Sequence, residues 1–275
     1  HGIEQLPNLE FKFVTADSLR QLPQLQLTKQ TKMFEDTQES LAQEKFIIKK
    51  FDEIQNLISQ YFTENYKQEI KPQYINIRKN LTDYIEKDSE SRKSENLKAL
   101  KNITQWNPFD EKKSNWFDMK WMFGVDDGFD IIIANPPYYR LSKTIYDNNW
   151  LKENKYISTS GANLYCLFIE LGMKLLKNDG NLFYITSNKW LRTSYGSKIR
   201  KLLSSYNPEI LIDFESFQVF ESATPDTCIF SIIKSNNIDK LYATKANNYK
   251  SSEKLKDYYE KNKIPIPSIN SEKWL

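Results

Sequence analysis

An uninterrupted apolar run, Ile131-Ile132-Ile133-Ala134, leads directly into Asn135-Pro136-Pro137-Tyr138. Branched side chains favour the pleated conformation, and a run that is apolar at successive positions predicts a strand buried on both faces, as at the centre of a parallel sheet. Neither proline has an N–H to give to a ladder, so the strand must stop there. The chain is thereby constrained to an α/β sheet in which the strand over 129–134 opens, at its carboxyl end, onto a rigid polar corner. Open α/β sheets place their ligands at that end.

The flanking patterns extend this sheet. Leu164, Leu167, Phe168, Leu171 and Leu175 make a helical face ending at Asn178-Asp179-Gly180, followed by strands over 181–186, 210–214 and 227–233 with a short helix over 199–203 between them. The alternation of strand and helix is that of a doubly wound α/β fold. Upstream, Phe11 and Phe13 alternate with Lys12 and run into Ala16-Asp17-Ser18, which predicts another strand of the same sheet. Between these parts the character changes. Residues 28–101 contain no glycine and a single proline, Pro72. There Ile47, Phe51, Ile54, Ile58 and Phe62 recur at three- and four-residue spacing, and Ile77, Leu81, Tyr84 or Ile85, and later Leu97 and Leu100 form a second stripe. A helical hairpin broken at Pro72 is the simplest arrangement. The expected division is a first part of the core over 1–27, a helical insertion over 28–105, and the remaining core over 106–235. Residues 236–275, rich in Asn, Lys and Tyr, read as a linker or the start of a further domain.

Composition narrows the chemistry. The only histidine is His1, and the two cysteines, Cys166 and Cys228, stand far apart. Histidine-dependent nucleophilic catalysis and a zinc site of the usual spacing therefore have no residues to use. None of the seven glycines falls in a GxGxxG or GxxxxGK[ST] pattern. Lys and Arg total 39 against 36 for Asp and Glu, a net charge of +3, and no apolar run approaches the ~20 residues of a membrane span. A cytoplasmic, non-membrane protein with reduced thiols is expected. The chain starts with His rather than Met and reads as a piece of a longer protein.

The Asn-Pro-Pro corner offers hydrogen-bond acceptors, the Asn135 side-chain carbonyl and the Pro136 main-chain carbonyl, without competing proline donors. Such a corner suits a substrate amino group: two acceptors draw a planar exocyclic amine toward sp³ character and make it nucleophilic without a strong base. Tyr138 supplies a flat surface for an aromatic ring. The same tetrapeptide could also simply end a strand in a rigid turn.

FDIIIANPPY resembles the catalytic motif of amino-group DNA methyltransferases, especially adenine-N6 enzymes of the type IIG restriction–modification kind. LPNLEFKFVTADSL resembles that family's strand and acidic loop beside the cofactor. LFIELGMKLLKNDGNLFYITSNKWLRTSYGSKIRKLL and ILIDFESFQVFESATPDTCIFSIIKS are similar to its later elements, so the likeness covers most of residues 5–235. The resemblance implies a partial Rossmann-like methyltransferase sheet carrying a helical hairpin insertion. It implies that Asn135 and Pro136 hold the target amino group, that Tyr138 stacks on the flipped base, and that Phe220 covers the base's other face. It further implies that Asp17 and Asn135 border S-adenosylmethionine, that the substrate is an adenine in double-stranded DNA, and that restriction or specificity domains accompany the parent chain. The family's glycine motif for the cofactor would lie upstream, so this stretch alone is expected to bind S-adenosylmethionine poorly and not to turn over.

Several assignments keep a bland alternative. Phe220 is equally a core residue, and Asp17 equally a solvated loop acid. Lys189, Arg192, Lys198, Arg200 and Lys201, within the acid-free stretch 187–208, suit DNA phosphates but also an ordinary basic helix surface. Families that methylate a protein glutamine or a ribosomal RNA base share the Asn-Pro-Pro-Tyr pattern, and a non-catalytic DNA- or protein-binding scaffold is a reading of another class.

Overall fold

A computed structural model of the chain describes residues 12–22, 38–63, 67–89, 95–110, 112–143, 146–159, 161–220, 226–267, 269 and 274. They fall into two compact units, residues 1–126 and 127–275.

The first unit is helical. α1 (Gln38–Thr63), α2 (Lys67–Ser89) and α3 (Glu95–Gln105) pack in sequence, α1 on α2 and α2 on α3. The expected stripe is the buried face of α1: Ile47, Phe51, Ile54 and Ile58 are all buried, with Tyr61 continuing the row. Opposite them lie Tyr74, Leu81 and Ile85 of α2 and Leu100 and Ile103 of α3. The side chains of Phe62 and Leu97 lie outside the described residues. Pro72 does not divide the helices as expected. It sits in the second turn of α2, where it removes one backbone bond near a helix start rather than from the middle. Trp106, Trp116 and Trp121 are buried in this helical core, although residues beyond 105 were expected to belong with the sheet. Trp121 lies on the short helix α4 (Met119–Phe123), capped at its start by the Asp118 carboxylate, which accepts the Trp121 N–H at 2.9 Å, and closed by Gly124 in the left-handed region.

Residues 12–22 depart from expectation. They form no strand of the sheet; Ala16 makes an isolated parallel bridge to Ser114 and Gln21 another to Phe117. The physical reason is local. Val14 and Ala16 pack against the helical core and Leu22 is buried in it, while Phe13 is exposed, so the alternation that suggested a strand serves a short bridged segment. Residues 9–11 of the expected strand lie outside the described residues.

The second unit is a six-stranded mixed sheet. In chain order its strands are β1 (Phe129–Ala134), β2 (Leu176–Ser187), β3 (Asn207–Asp213), β4 (Thr227–Ile233), β5 (Leu241–Lys245) and β6 (Ile264–Ile266), arranged β1-β2-β4-β3-β5-β6. Its helices are α5 (Asn148–Glu153), α6 (Leu164–Leu175), α7 (Ser197–Ser204) and α8 (Leu255–Asn262). β1 and β2 are parallel, joined through α5 and α6 in the crossover such a pair requires. β4 is antiparallel to both β2 and β3. The alternation of strand and helix thus breaks where β3 passes to β4 with no helix described between them.

Two further expectations are corrected. β1 is an edge strand of this sheet, paired with β2 alone, and Ile131 and Ile133 are 58% and 77% exposed rather than buried on both faces. The Ile run therefore reports β-propensity here, with no described element covering those two side chains. Asn178-Asp179-Gly180 does not cap α6. The helix passes straight into β2 at Leu176, and the three residues bulge the β1–β2 register between Phe129 and Ile131. Asp179 sits at φ 60°, where Asp is more tolerated than most side chains. Gly172 of α6 is required for close packing, since a Cβ there would come within 2.4 Å of Leu182 and 2.6 Å of the Tyr184 hydroxyl on β2.

Nor is 236–275 a linker. β5 adds parallel to β3, β6 pairs antiparallel with β5, and α8 buries Tyr258 and Tyr259 against Ile212 and Phe214. Pro265 is tolerated because β6 lies at the sheet edge. Trp274, 2% exposed, returns to pack its ring 5.3 Å from that of Trp190. Among the described residues no helix is long and apolar enough to cross a membrane.

Candidate active site

Asn135 follows the last residue of β1, at its carboxyl end as expected, with Pro136 buried behind it. The Tyr138 hydroxyl lies 2.9 Å from Asn135 Oδ1 and 3.1 Å from the carbonyl oxygen of Ile185 on β2. Its single proton is thus shared between two acceptors, and the ring is pinned between the ends of two parallel strands. Burial raises the Tyr138 hydroxyl pKa above its ordinary value, so it stays a neutral donor. The consequence for Asn135 is direct: its amide oxygen is held by a donor, so the side chain is oriented in advance.

A second tier holds Tyr138 in turn. Its ring meets that of Tyr165 edge to face, 6.0 Å apart at 85°. The Tyr165 hydroxyl is 2.9 Å from that of Tyr195, and the Asn163 side-chain amide donates to both, at 3.3 and 3.0 Å. Asn163 occupies the N-cap of α6, yet its side chain makes no capping bond; it is spent on the tyrosines. The backbone around it is fixed by Leu164 N–H donating to the Tyr139 carbonyl and Leu141 N–H donating to that of Ala162. Asn163, Tyr165 and Tyr195 were not singled out as site residues from sequence. The available signal was an Asn directly before the apolar helical face that begins at Leu164.

These residues border a cleft of about 640 Å³. Tyr138, Asn163 and Tyr195 form part of its wall, and Arg140, Lys143 and Lys189 bring three cations, with no acid among the described residues that line it.

The five basic residues expected on DNA divide. Lys189 faces this cleft. Arg192 is half exposed and paired at 2.5 Å with the fully buried Asp213, which also accepts from the Asn188 side chain at 2.7 Å. Lys198 and Lys201 lie on α7, away from the cleft at Tyr138. Arg200 is corrected: it is 3% exposed and donates to the carbonyls of Trp190, at 2.5 Å, and Thr193, at 2.9 Å, so it clamps the 190–193 turn from within.

Phe220 is half-buried and is not among the described residues lining the cleft with Tyr138. Asp17 belongs to the other unit, where its carboxylate pairs with Arg20 at 3.4 Å.

The Asn-Pro-Pro-Tyr corner thus stands at the carboxyl end of a parallel strand in a mixed α/β sheet. The chain belongs to the Eco57I restriction-modification methylase family, which it matches over residues 24–220. Among curated relatives it is 28% identical over 155 residues to the type II methyltransferase M.BstVI of Geobacillus stearothermophilus, covering 51% of this chain and 28% of that protein. It is 35% identical over 115 residues to the type II restriction enzyme and methyltransferase RM.Eco57I of Escherichia coli, covering 40% and 11%. The chain thus spans well under a third of the length of these relatives. Among solved structures, the type I restriction-modification methyltransferase subunit of Streptococcus thermophilus aligns with TM-score 0.41 at 18% identity, over 60% of this chain and 38% of that one.

Proposed function

We propose that this chain is the target-base half of an S-adenosylmethionine-dependent adenine-N6 DNA methyltransferase of a restriction–modification system, with further recognition or cleavage domains in the parent protein. The observation that carries the reading is the hydrogen bond to Asn135 from Tyr138, which borders a cleft lined, among the described residues, by three cations and no acid.

In this reading Asn135 Oδ1 and the Pro136 carbonyl accept the two hydrogens of the N6 amine, which localises its lone pair as the amine attacks. The Tyr138 hydroxyl keeps Asn135 aimed, and the Tyr138 ring faces the base, which must leave the helix stack to be reached. Arg140, Lys143 and Lys189 neutralise phosphates beside the flipped nucleotide. The acceptors present fit the group that reacts: Asn135 offers a neutral oxygen to an amine, and the Asp17 carboxylate suits the exocyclic amine of the cofactor's adenine. S-adenosylmethionine, when bound, supplies an electrophilic methyl group on sulfur. The residues of this chain bind, orient and polarise the amine that receives it. The sheet unit serves as catalytic core and the helical unit as an insertion. A cytoplasmic site of action follows from a DNA substrate.

The test is transfer of labelled methyl from S-adenosylmethionine by the parent protein to DNA, RNA or protein. Label at adenine N6 of duplex DNA supports the reading. Label at a protein glutamine or in RNA replaces it.

A further inference from the structure

A second cleft, of about 580 Å³, lies between α5 and α7 and shares no described lining residue with the one at Tyr138. Leu151, Tyr156 and Leu202 give it an apolar floor, and Lys152, Lys198 and Lys201 stand on its rim. No acid lines it among the described residues, and none of the three lysines forms an ion pair there. Lys198, Lys201, Leu202 and Ser205 follow the i, i+3, i+4, i+7 spacing of one helical face, so α7 presents a single basic-and-apolar stripe to the cleft while Ile199 and Leu203 on its other side are buried.

The opposite wall is rigid. Glu170, 3% exposed, accepts the Ile157 N–H at 2.7 Å, the Ser158 N–H at 2.9 Å and the Ser158 hydroxyl at 2.5 Å, tying the 157–158 backbone to α6. Tyr156 is held against the stacked ring of Trp150 and beneath the Lys174 ammonium, 4.0 Å from its centroid. Three ammonium groups without an ion-pair partner among the described residues, around a preformed apolar floor, raise the local concentration of anions and favour one that also carries apolar surface.

From this arrangement we infer that the α5–α7 cleft is a nucleotide-phosphate site, with the phosphate on Lys152, Lys198 and Lys201 and the sugar and base edge over Leu151 and Leu202. The phosphate belongs either to a DNA strand or to a free mononucleotide. The DNA arm rests on the proposed function; the mononucleotide arm does not.

The experiment compares the full parent protein with its K152Q/K198Q/K201Q variant, checked for unchanged circular dichroism and melting. One arm measures binding of a 20-bp duplex against salt; losing the one phosphate held by the three lysines lowers the slope of log K against log salt by about 0.9. The other arm titrates deoxycytidine monophosphate calorimetrically. A slope reduced by about 0.5 to 1 or more, without mononucleotide binding, assigns the site to a DNA strand. Saturable mononucleotide binding lost in the variant assigns it to a free nucleotide, and does so even if the parent fails to methylate DNA. A slope within 0.5 of the parent together with no variant-sensitive mononucleotide binding overturns the inference, even where methylation of DNA upholds the functional reading.

Discussion

Glu170→Ala has a cost that can be worked from the geometry. The carboxylate satisfies two backbone N–H groups and one hydroxyl in a buried setting, and its removal leaves Ile157 N–H and Ser158 N–H without their acceptor. An orphaned buried donor costs about 1–3 kcal/mol, so two of them together with the lost Ser158 hydroxyl bond, partly relieved by water entering the space, amount to about 3–5 kcal/mol. For a unit of this size a loss of 1 kcal/mol lowers the midpoint by roughly 2–4 °C, so the expected fall is about 6–20 °C. Glu170→Gln retains one acceptor oxygen, losing only the bond to one backbone N–H, and falls by roughly a third as much. Thermal unfolding followed by circular dichroism measures both. A loss under 3 °C for the alanine variant, or a glutamine variant as unstable as the alanine one, would refute the claim that these bonds anchor the segment.

The same carboxylate sets a pH dependence. Burial raises its pKa above the ordinary 4.5, outweighing the bonds from Ser158 and Ile157, so the folded state holds its proton to higher pH than the unfolded one. Stability from this group is therefore fully present below pH 4.5 and declines as pH rises toward the folded pKa. Subtracting the stability–pH curve of Glu170→Gln from that of the parent should isolate this downward slope; a rising difference would contradict it. Arg200→Met removes the guanidinium donor from the Trp190 and Thr193 carbonyls, leaving Thr193 only the Gly196 N–H, and should lower stability by about 1–3 kcal/mol, whereas Lys189→Ala should leave melting unchanged and weaken DNA binding. Equal melting of the two variants would show that Arg200 is not structural. Tyr138→Phe keeps the ring and removes the hydroxyl, at about 1 kcal/mol, so methylation should fall about fivefold with DNA affinity retained; an unchanged rate would mean that Asn135 is oriented by something else.

The legible parts of this molecule were those set by period and local chemistry. The α1 stripe from Ile47 to Ile58 is read directly from spacing, and proline after Ala134 fixes the end of β1 and with it the place of Asn135. What failed depends on partners distant in sequence. Strand alternation at Phe11 and Phe13 cannot reveal that the following Ala16 bridges Ser114, nor does the composition of 236–275 show that β5 finds the edge of β3. Arg200 reads like its neighbours Lys198 and Lys201; only the helical phase of α7 turns it inward. The Asn163–Tyr165–Tyr195 cluster joins residues 30 positions apart through a fold the sequence does not spell out.

The central claim is that the Asn135 side-chain oxygen polarises a substrate amine. Its most direct test is the single-turnover rate of methyl transfer to adenine N6 by the Asn135→Ala variant of the parent protein, measured beside duplex affinity and melting temperature. The account predicts a rate loss of at least about 100-fold, the scale of one lost transition-state hydrogen-bond partner, with binding and melting unchanged. A rate within a few-fold of the parent would contradict it.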